Sequence, residues 1–193
     1  SGIPERELTT AANAASAKLP KYSDGEIEGF LYPATYRFDP DASASTVMNE
    51  IIATAKQRQS DAGLRNPPVK LGLTPRQVLT AASIIQAEAY PRDYAKVARV
   101  IYNRLAVGRA LQMDSTLNYA LGTSKLTFTN AERANPSPYN TYAHSGLPPG
   151  PIGSPSFYFV TTNPDTGLTE FAVTDSQFMV LREKFRAWLA SRQ

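Results

Sequence analysis

The chain has 193 residues, enough to bury roughly 70% of its unfolded surface in a core that needs no covalent staples. It contains no cysteine and one histidine, His144, so disulfides, thiolate catalysis and cysteine-bound zinc are excluded, and we expect no metal or cofactor. The net charge of +3 is spread without a dense Lys/Arg run, which argues against a nucleic-acid partner, and no apolar run approaches the ~18 residues that span a bilayer.

The first part of the chain is predicted to be helical and then extended. Residues 7–18 are rich in alanine and predict a helix. Residues 27–38, IEGFLYPATYRF, combine aromatic and β-type residues with glycine and proline, which predicts one or two short strands around a bend. Glu28 and Tyr36 are candidates to face a cleft. Aromatic residues at this density usually form core, however, and that is our expectation for Phe30 and Phe38.

A second helix is predicted from about Ser45, followed by an exposed loop over residues 65–72. The apolar stripe of that helix consists of Val47, Ile51, Ile52 and Ala55.

A third helix is predicted to begin near Pro75. Thr74 can cap the free N–H groups, proline suits the first turn, and Gln77 can reach back to the cap. Steps of three and four residues then place Glu88 on the same stripe as Ala81, Ile84 and Ile85. An acid therefore occupies a position where leucine is expected.

This position suggests a chemical role for Glu88. An unpaired carboxyl group against apolar side chains loses hydration of its charged form, so it can hold a proton near neutral pH, as a general acid requires. The alternative is that Glu88, near the end of its helix, simply points into water.

The next helix is predicted from Asp93, as the cap, to about Val107, with Gly108 as its stop and Pro91 breaking the hairpin between the two helices. Its apolar face consists of Tyr94, Val97, Ala98, Ile101 and Leu105.

Polar residues concentrate at the end of this hairpin and could line a sugar cleft: Asn103, Arg104, Gln112, Asp114, Ser115 and Thr116. Asp114 has a second interpretation, as the N-cap of a short helix over residues 115–121, because aspartate is a preferred cap. The sequence leaves both roles open.

Residues 137–155, SPYNTYAHSGLPPGPIGSP, predict a turn-rich loop that proline and glycine fix in place. Tyr139, Asn140 and Thr141 are candidates for sugar contact, since aromatic faces and amides suit pyranose rings. A loop whose polar groups bond only backbone is equally compatible with the pattern.

The last part predicts a β-hairpin over residues 157–173 and a closing helix from about Asp175. The apolar face of that helix, which we expect to be core, consists of Phe178, Leu181, Phe185, Trp188 and Leu189.

Several of these stretches together resemble one protein family. ASIIQAEA, VARVIYNRL and LQMDSTLNYAL resemble the endolytic murein transglycosylases, the YceG-like family, and IEGFLYPATY, SPYNTY and GLPPGPI resemble further signatures of that family. The chain departs from the pattern where Gln86 replaces the first acid and Ala34 replaces an aspartate. The family's largely helical stretch between residues 155 and 157 is also not seen here, either because the chain is short at this point or because a loop is missing from the sequence. The resemblance therefore does not extend to that wall of the expected cleft.

The resemblance implies that Glu88 is the catalytic acid and base of a lytic transglycosylase. Such an enzyme cleaves the β-1,4 bond between N-acetylmuramic acid and N-acetylglucosamine inside the glycan strand and leaves a 1,6-anhydro end. Gln112, Asn103 and Asn140 are then expected to orient the sugar.

Two other functions stay open at this point. One is a glycan-binding module of the cell wall that docks strands without cleaving them. The other is a muramidase, a hydrolase that uses Glu88 and Asp114 as its two carboxylates.

For the architecture we expect an α+β fold with a helical hairpin, short antiparallel strands and a lysozyme-like catalytic cleft. The chain is expected to be a single catalytic domain, 1–193, in which residues 1–72 pack on a catalytic core of residues 73–193. The resemblance implies an upstream membrane anchor and a LysM-like lobe outside this chain, and a location at the extracytoplasmic face of the cytoplasmic membrane. Implied partners are peptidoglycan strands and possible cell-wall synthase or division proteins.

Overall fold

The computed structural model describes residues 3–34, 36–39, 41–67, 72–153, 158–163, 165, 168–172 and 175–191. The described residues form helices and one small sheet, an α+β arrangement as expected. The helices are α1 Glu5–Ala15, α2 Ala44–Asp61, α3 Pro75–Glu88, α4 Tyr94–Ala106, α5 Asp114–Leu121, α6 Asn130–Arg133 and α7 Asp175–Ala190. The strands are β1 Tyr36–Arg37, β2 Tyr158–Asn163 and β3 Leu168–Ala172.

The chain divides into two compact units, which are described separately. Unit 1 consists of Ser1–Ala62 with Ser156–Gln193, and unit 2 consists of Gly63–Pro155. This division differs from the expected one, because the C-terminal hairpin and helix belong to the same unit as the N-terminal segment and not to the unit that contains Glu88. The physical reason is backbone pairing: the N-terminal strand β1 forms an antiparallel ladder with β3.

Unit 1 is built on the contact of α1 with α2 and on an antiparallel sheet of order β1-β3-β2. The expected α2 stripe is confirmed for Ile51, Ile52 and Ala55, which are buried, and Ser43 caps the helix by accepting from Thr46 N–H. The C-terminal hairpin is also confirmed, with a register shift between Thr161 and Asn163.

The prediction of one or two short strands over residues 27–38 is confirmed for one, the short strand β1. Within this segment only Tyr36–Arg37 pairs as a strand among the described residues. Phe30 is fully buried, as expected for core, and Phe38 is half-buried and stacks on Tyr36 with the ring centroids 6.0 Å apart. Phe30 is therefore buried without the sheet pairing that its residue type favours, whereas the buried Tyr36 does pair with β3.

The closing helix α7 begins at the expected residue. Leu189 is 43% exposed, so its assignment to the core is wrong, whereas Phe185 and Trp188 are half-buried and stack with ring centroids 5.9 Å apart. The side chains of Phe178 and Leu181 lie outside the described residues.

Unit 2 is organised around the hairpin of α3 and α4. Its core cluster takes one residue from each of these helices, two from the segment before α5 and one from the proline-rich loop. These residues are Ile84, Ile101, Leu111, Met113 and Ile152. The expected helix ends are confirmed: Thr74 and Gln77 form a reciprocal capping box, and Gly108 follows α4 with a φ of +66° that favours glycine. Asp93 occupies the cap position of α4, but its carboxylate binds Lys96 Nζ at 2.8 Å instead of capping.

The proline-rich loop is attached to α3. Arg76 Nε donates to Pro149 O at 2.9 Å, and Ile152 N–H donates to Ser83 Oγ at 3.0 Å. The loop thereby fixes one side of α3, the helix that carries Glu88. Across the described residues, the helices include none that is both long and apolar enough to cross a membrane.

Candidate active site

Glu88 is the last residue of α3. The apolar stripe predicted for this helix is confirmed, since Ala81 and Ile84 are buried and Ile85 is half-buried and packs on the core cluster. Glu88 follows on that stripe and is itself half-buried. The helix ends at this point because Ala89 adopts an extended conformation.

The Glu88 carboxylate has a partner on another helix. Ser115 N–H, in the first turn of α5, donates to Glu88 Oε1 at 2.8 Å. The first N–H groups of a helix have no partner within the helix and carry partial positive charge, so they bind carboxylates well. The expectation that Glu88 is unpaired is therefore wrong.

Asp114 precedes this donor and does not cap α5. Asp114 is the first residue of the helix, and Met113 at the cap position provides no side-chain cap bond. The first-turn N–H of Ser115 is bonded by Glu88 from α3 instead. The Asp114 carboxylate instead accepts the Tyr142 hydroxyl, with 2.5 Å between Oδ1 and the phenol oxygen. Of the two roles that the sequence left open for Asp114, the structure thus excludes that of N-cap.

Tyr142 lies within electrostatic reach of both carboxylates. Burial raises the pKa of the Tyr142 phenol above its ordinary value, and the hydrogen bond to Asp114 raises that pKa further. The charges of Asp114 and Glu88 act in the same direction, whereas the Arg133 guanidinium opposes them. Arg133 Cζ lies 5.4 Å from the centroid of the Tyr142 ring. The candidate site thus joins Glu88, Ser115, Asp114, Tyr142 and Arg133, from four segments of unit 2.

The loop around Asn140 supports this cluster from within. Asn140 is 0% exposed, its amide nitrogen donates to Arg133 O at 3.0 Å and to Asn135 O at 2.7 Å, and its carbonyl oxygen accepts from Tyr142 N–H at 3.0 Å. All of these partners are backbone groups. We therefore correct the expectation of direct sugar contact for Asn140: the side chain holds the chain that carries Arg133 and Tyr142.

Thr141 has a similar internal role. It is 2% exposed, its Oγ1 accepts from Met113 N–H at 2.9 Å, and it bonds Thr116 Oγ1 at 2.7 Å. Since the Thr116 hydroxyl donates to Met113 O, the Thr141 hydroxyl is the donor to Thr116. We therefore also correct the expectation that Thr141 contacts sugar. Its hydroxyl bonds Met113 and Thr116 and thereby joins the loop to the start of α5.

Gln112 and Asn103 remain available to a ligand. Both are exposed, and neither side chain has a hydrogen-bond partner among the described residues. Gln112 has a φ of +52°, in the left-handed region, and its N–H donates to Thr141 O at 2.9 Å. Such strain in a residue other than glycine is typical of functional sites, and nothing in the local sequence indicated it.

Tyr139 is half-buried against Tyr119, with the ring centroids 4.7 Å apart at an angle of 50°. It also packs on the core cluster of unit 2. The ring is consequently held in one orientation, and a direct contact with sugar stays a prediction.

Glu28 and Tyr36 belong to unit 1. Tyr36 is 5% exposed and its hydroxyl donates to Tyr32 O at 2.8 Å, so its expected place on a cleft wall is corrected to one in the interior of unit 1. Burial raises the pKa of its phenol. Glu28 is exposed, and its role stays a prediction.

Two members of the cluster were not predicted from the sequence. Tyr142 lies within the SPYNTY motif, and this motif is the one feature of the sequence that could have indicated it. No motif or pattern in the sequence indicated Arg133. Ser115 was noted as polar, but its contribution is a backbone N–H, which residue type does not reveal. Among the described residues, no group of three or more histidine and acidic side chains converges to hold a metal ion.

Comparison with known proteins identifies relatives of this chain. An endolytic murein transglycosylase of Bacillus subtilis (strain 168) is 40% identical over 131 residues, which are 66% of this chain and 36% of the relative. One from Streptococcus pneumoniae (strain ATCC BAA-255 / R6) is 34% identical over 137 residues, 67% of this chain and 24% of the relative. The chain thus spans about a quarter to a third of the length of these curated relatives.

A solved structure is similar as well. The crystal structure of a YceG-like protein from Listeria monocytogenes matches with a TM-score of 0.61 and 31% identity, covering 93% of this chain and 65% of that one. The profile of the YceG-like family matches residues 3–158. Since this match includes most of the chain and the whole of unit 2, the chain belongs to the YceG-like family.

Proposed function

We propose that this chain carries the catalytic residues of an endolytic peptidoglycan lytic transglycosylase, with Glu88 as its acid and base. The bond cleaved is the β-1,4 bond from N-acetylmuramic acid to N-acetylglucosamine, and the product is a 1,6-anhydro end. The observation that carries the proposal is the half-buried Glu88 carboxylate bonded to Ser115 N–H at 2.8 Å beside Asp114 and Tyr142. The names of the relatives support the same reaction.

The first step is proton donation. The Glu88 carboxyl group gives its proton to the glycosidic oxygen, the bond from that oxygen to muramoyl C1 breaks, and the sugar passes through an oxocarbenium-like state. Glu88 is then an anion, and the Ser115 N–H at the positive end of α5 is placed to stabilise that charge.

The second step closes the ring. The Glu88 carboxylate takes the proton from the muramoyl 6-hydroxyl, and the oxygen of that hydroxyl forms a bond to C1. Because this nucleophile belongs to the same sugar, it attacks at high effective molarity and no water needs activation. The carboxyl group is thereby regenerated.

The environment of Asp114 favours this one-carboxylate route over a muramidase. A hydrolase of the inverting type needs its second carboxylate free to activate water. Asp114 Oδ1 is instead engaged by the Tyr142 hydroxyl. Gln112, Asn103 and Tyr139, all in unit 2, are proposed as groups that orient the sugar in a lysozyme-like cleft. Glu28 of unit 1 is a separate candidate for sugar contact.

The cellular setting follows from the reaction. A peptidoglycan substrate places the activity outside the cytoplasm, and we propose that the chain is the catalytic domain of a protein held at the outer face of the cytoplasmic membrane by an upstream anchor. Cell-wall synthase or division proteins are proposed partners.

The test is a mass-spectrometric digest of purified glycan strands by the wild type, Glu88→Gln and Glu7→Gln, an exposed control on α1. We expect 1,6-anhydro ends with the wild type and Glu7→Gln, and none with Glu88→Gln. Wild-type cleavage by Glu88→Gln overturns the role of Glu88. Reducing ends alone indicate a hydrolase, and binding without cleavage by the wild type indicates a glycan-binding module.

A further inference from the structure

Arg133 is a cation without an acidic partner beside the candidate site. It is exposed at the end of α6, and no carboxylate in the described part of the chain forms an ion pair with it. The neighbouring Glu132 is bound to Lys125 and to Thr129, which together lower its pKa to about 2. The acid nearest in sequence is therefore engaged elsewhere.

Two contacts place Arg133 beside the site, one to its backbone and one to its guanidinium. Asn140 holds the backbone of Arg133 through Arg133 O, and the guanidinium stands over the Tyr142 ring, 5.4 Å from its centroid. The hydroxyl of the same ring bonds Asp114, whose neighbour Ser115 binds Glu88. The guanidinium thus lies over the ring whose hydroxyl bonds Asp114, and it forms an ion pair with no carboxylate of the described residues. It is therefore available to a negative charge on a ligand bound beside this cluster.

The substrate proposed above carries such a charge. A muramoyl residue bears a lactyl ether that ends in a free carboxylate in peptide-free strands, and in an amide to a stem peptide, with carboxylates of its own, in substituted strands. N-acetylglucosamine carries neither. Guanidinium groups bind carboxylates with two parallel hydrogen bonds, which adds specificity for this anion.

We propose that Arg133 binds a carboxylate carried by the muramoyl residue and thereby sets a preference for muramoyl-containing strands. This inference rests on the proposed function, and it names the group of the substrate that Arg133 recognises. An exposed ion pair contributes modestly, so the expected effect of losing it is a rise in KM of about three- to tenfold with kcat retained.

The experiment compares Arg133→Gln and Arg133→Lys with Arg99→Gln, which removes the same charge from an exposed position on α4. Three substrates are used: peptide-bearing strands, peptide-free strands with the free lactyl carboxylate, and peptide-free strands with that carboxylate converted to an amide. KM and kcat are measured on each. Strand affinity is also measured in the Glu88→Gln background, so that Arg133 is tested even where cleavage fails.

Arg133→Gln should weaken binding of carboxylate-bearing strands, Arg133→Lys should restore part of it, and Arg99→Gln should match the wild type. On the amidated strands Arg133→Gln and the wild type should be equal. A loss confined to peptide-free strands assigns the lactyl carboxylate as the group that is read, and a loss confined to peptide-bearing strands assigns the stem peptide. Equal affinities on every substrate, or an equal loss on amidated strands, overturn the proposal.

Discussion

Glu88 and Ser115 connect the end of one helix to the start of another through a single hydrogen bond of 2.8 Å from the Ser115 N–H to the Glu88 carboxylate. The donor is the backbone, so the identity of the side chain at position 115 is not required for it. The hydrogen bond to the Glu88 carboxylate, in contrast, requires that α3 and α5 keep their relative positions.

Ser115→Ala should leave glycan cleavage near the wild-type rate, because alanine keeps the N–H. The Ser115 hydroxyl is buried and has no hydrogen-bond partner among the described residues, so its removal should leave the free energy of unfolding unchanged or raise it by about 1 kcal/mol. Denaturant unfolding and a cleavage assay check this. Thr116→Ala, which breaks a bonded hydroxyl, is the contrasting variant and should destabilise. A large loss of cleavage in Ser115→Ala would assign the hydroxyl to the reaction.

Asn140→Ala should lower the free energy of unfolding by about 2 to 4 kcal/mol. The substitution leaves the carbonyls of Arg133 and Asn135 and the N–H of Tyr142 without their buried partner. Asn103→Ala is the matched control, since Asn103 is exposed, and should change stability by less than about 0.5 kcal/mol. Thermal unfolding of both variants gives the comparison, and equal melting temperatures would contradict a structural role for Asn140.

Gln112→Gly should keep or raise stability, by up to about 1 kcal/mol, because glycine adopts the φ of +52° without strain. The same variant should raise KM for glycan strands if the Gln112 amide orients the sugar. Gln112→Ala separates the two effects, since it loses the amide and keeps the strain. Unchanged KM in both variants would remove Gln112 from the proposed substrate contacts.

Ionisation of the Tyr142 phenol should make the protein less stable at alkaline pH. Its pKa in the folded state is raised by burial and by its bond to Asp114, with Glu88 adding to the shift and Arg133 opposing it. The folded state therefore holds the phenolic proton more tightly than the unfolded state does. This contribution is fully present below the unfolded pKa of about 10 and is lost as the pH rises through the folded pKa.

The measurement is urea unfolding between pH 8 and pH 11.5. Tyr142→Phe should reduce the alkaline decline in stability, though not abolish it, because burial also raises the pKa values of Tyr36 and Tyr102. Tyr90→Phe is the control, since Tyr90 is 73% exposed, and should keep the wild-type slope. Identical slopes in all three proteins would refute the assignment to Tyr142.

Local signals in the sequence predicted the helices of unit 2 well. The capping box of Thr74 and Gln77 lies within three residues, and the stripe that leads to Glu88 follows from helical periodicity alone. Contacts distant in the chain had no such signal: Ser115 is 27 residues from Glu88, and Tyr142 is 28 residues from Asp114. The periodicity of α3 shows which of its side chains share a face, but it does not show that Glu88 on that face contacts the first turn of α5.

The polar residues of the proline-rich loop could not be assigned from the sequence alone. Asn140 and Thr141 were candidates for sugar contact, with a loop whose polar groups bond only backbone as the alternative. Both are buried, and the side-chain partners of Asn140 are backbone groups, so the structure favours the alternative for Asn140. A similar ambiguity affected residues 27–38, where aromatic composition favoured strands but Phe30 is buried without one.

The hydrogen bond from Ile152 to Ser83, between residues 69 positions apart, and that from Arg76 to Pro149 have a consequence for how unit 2 folds. They join its helix α3 to the proline-rich loop, so each closes a long stretch of chain. Because such closure costs more conformational entropy than a contact between neighbouring helices, these bonds are expected to form after the hairpin of α3 and α4.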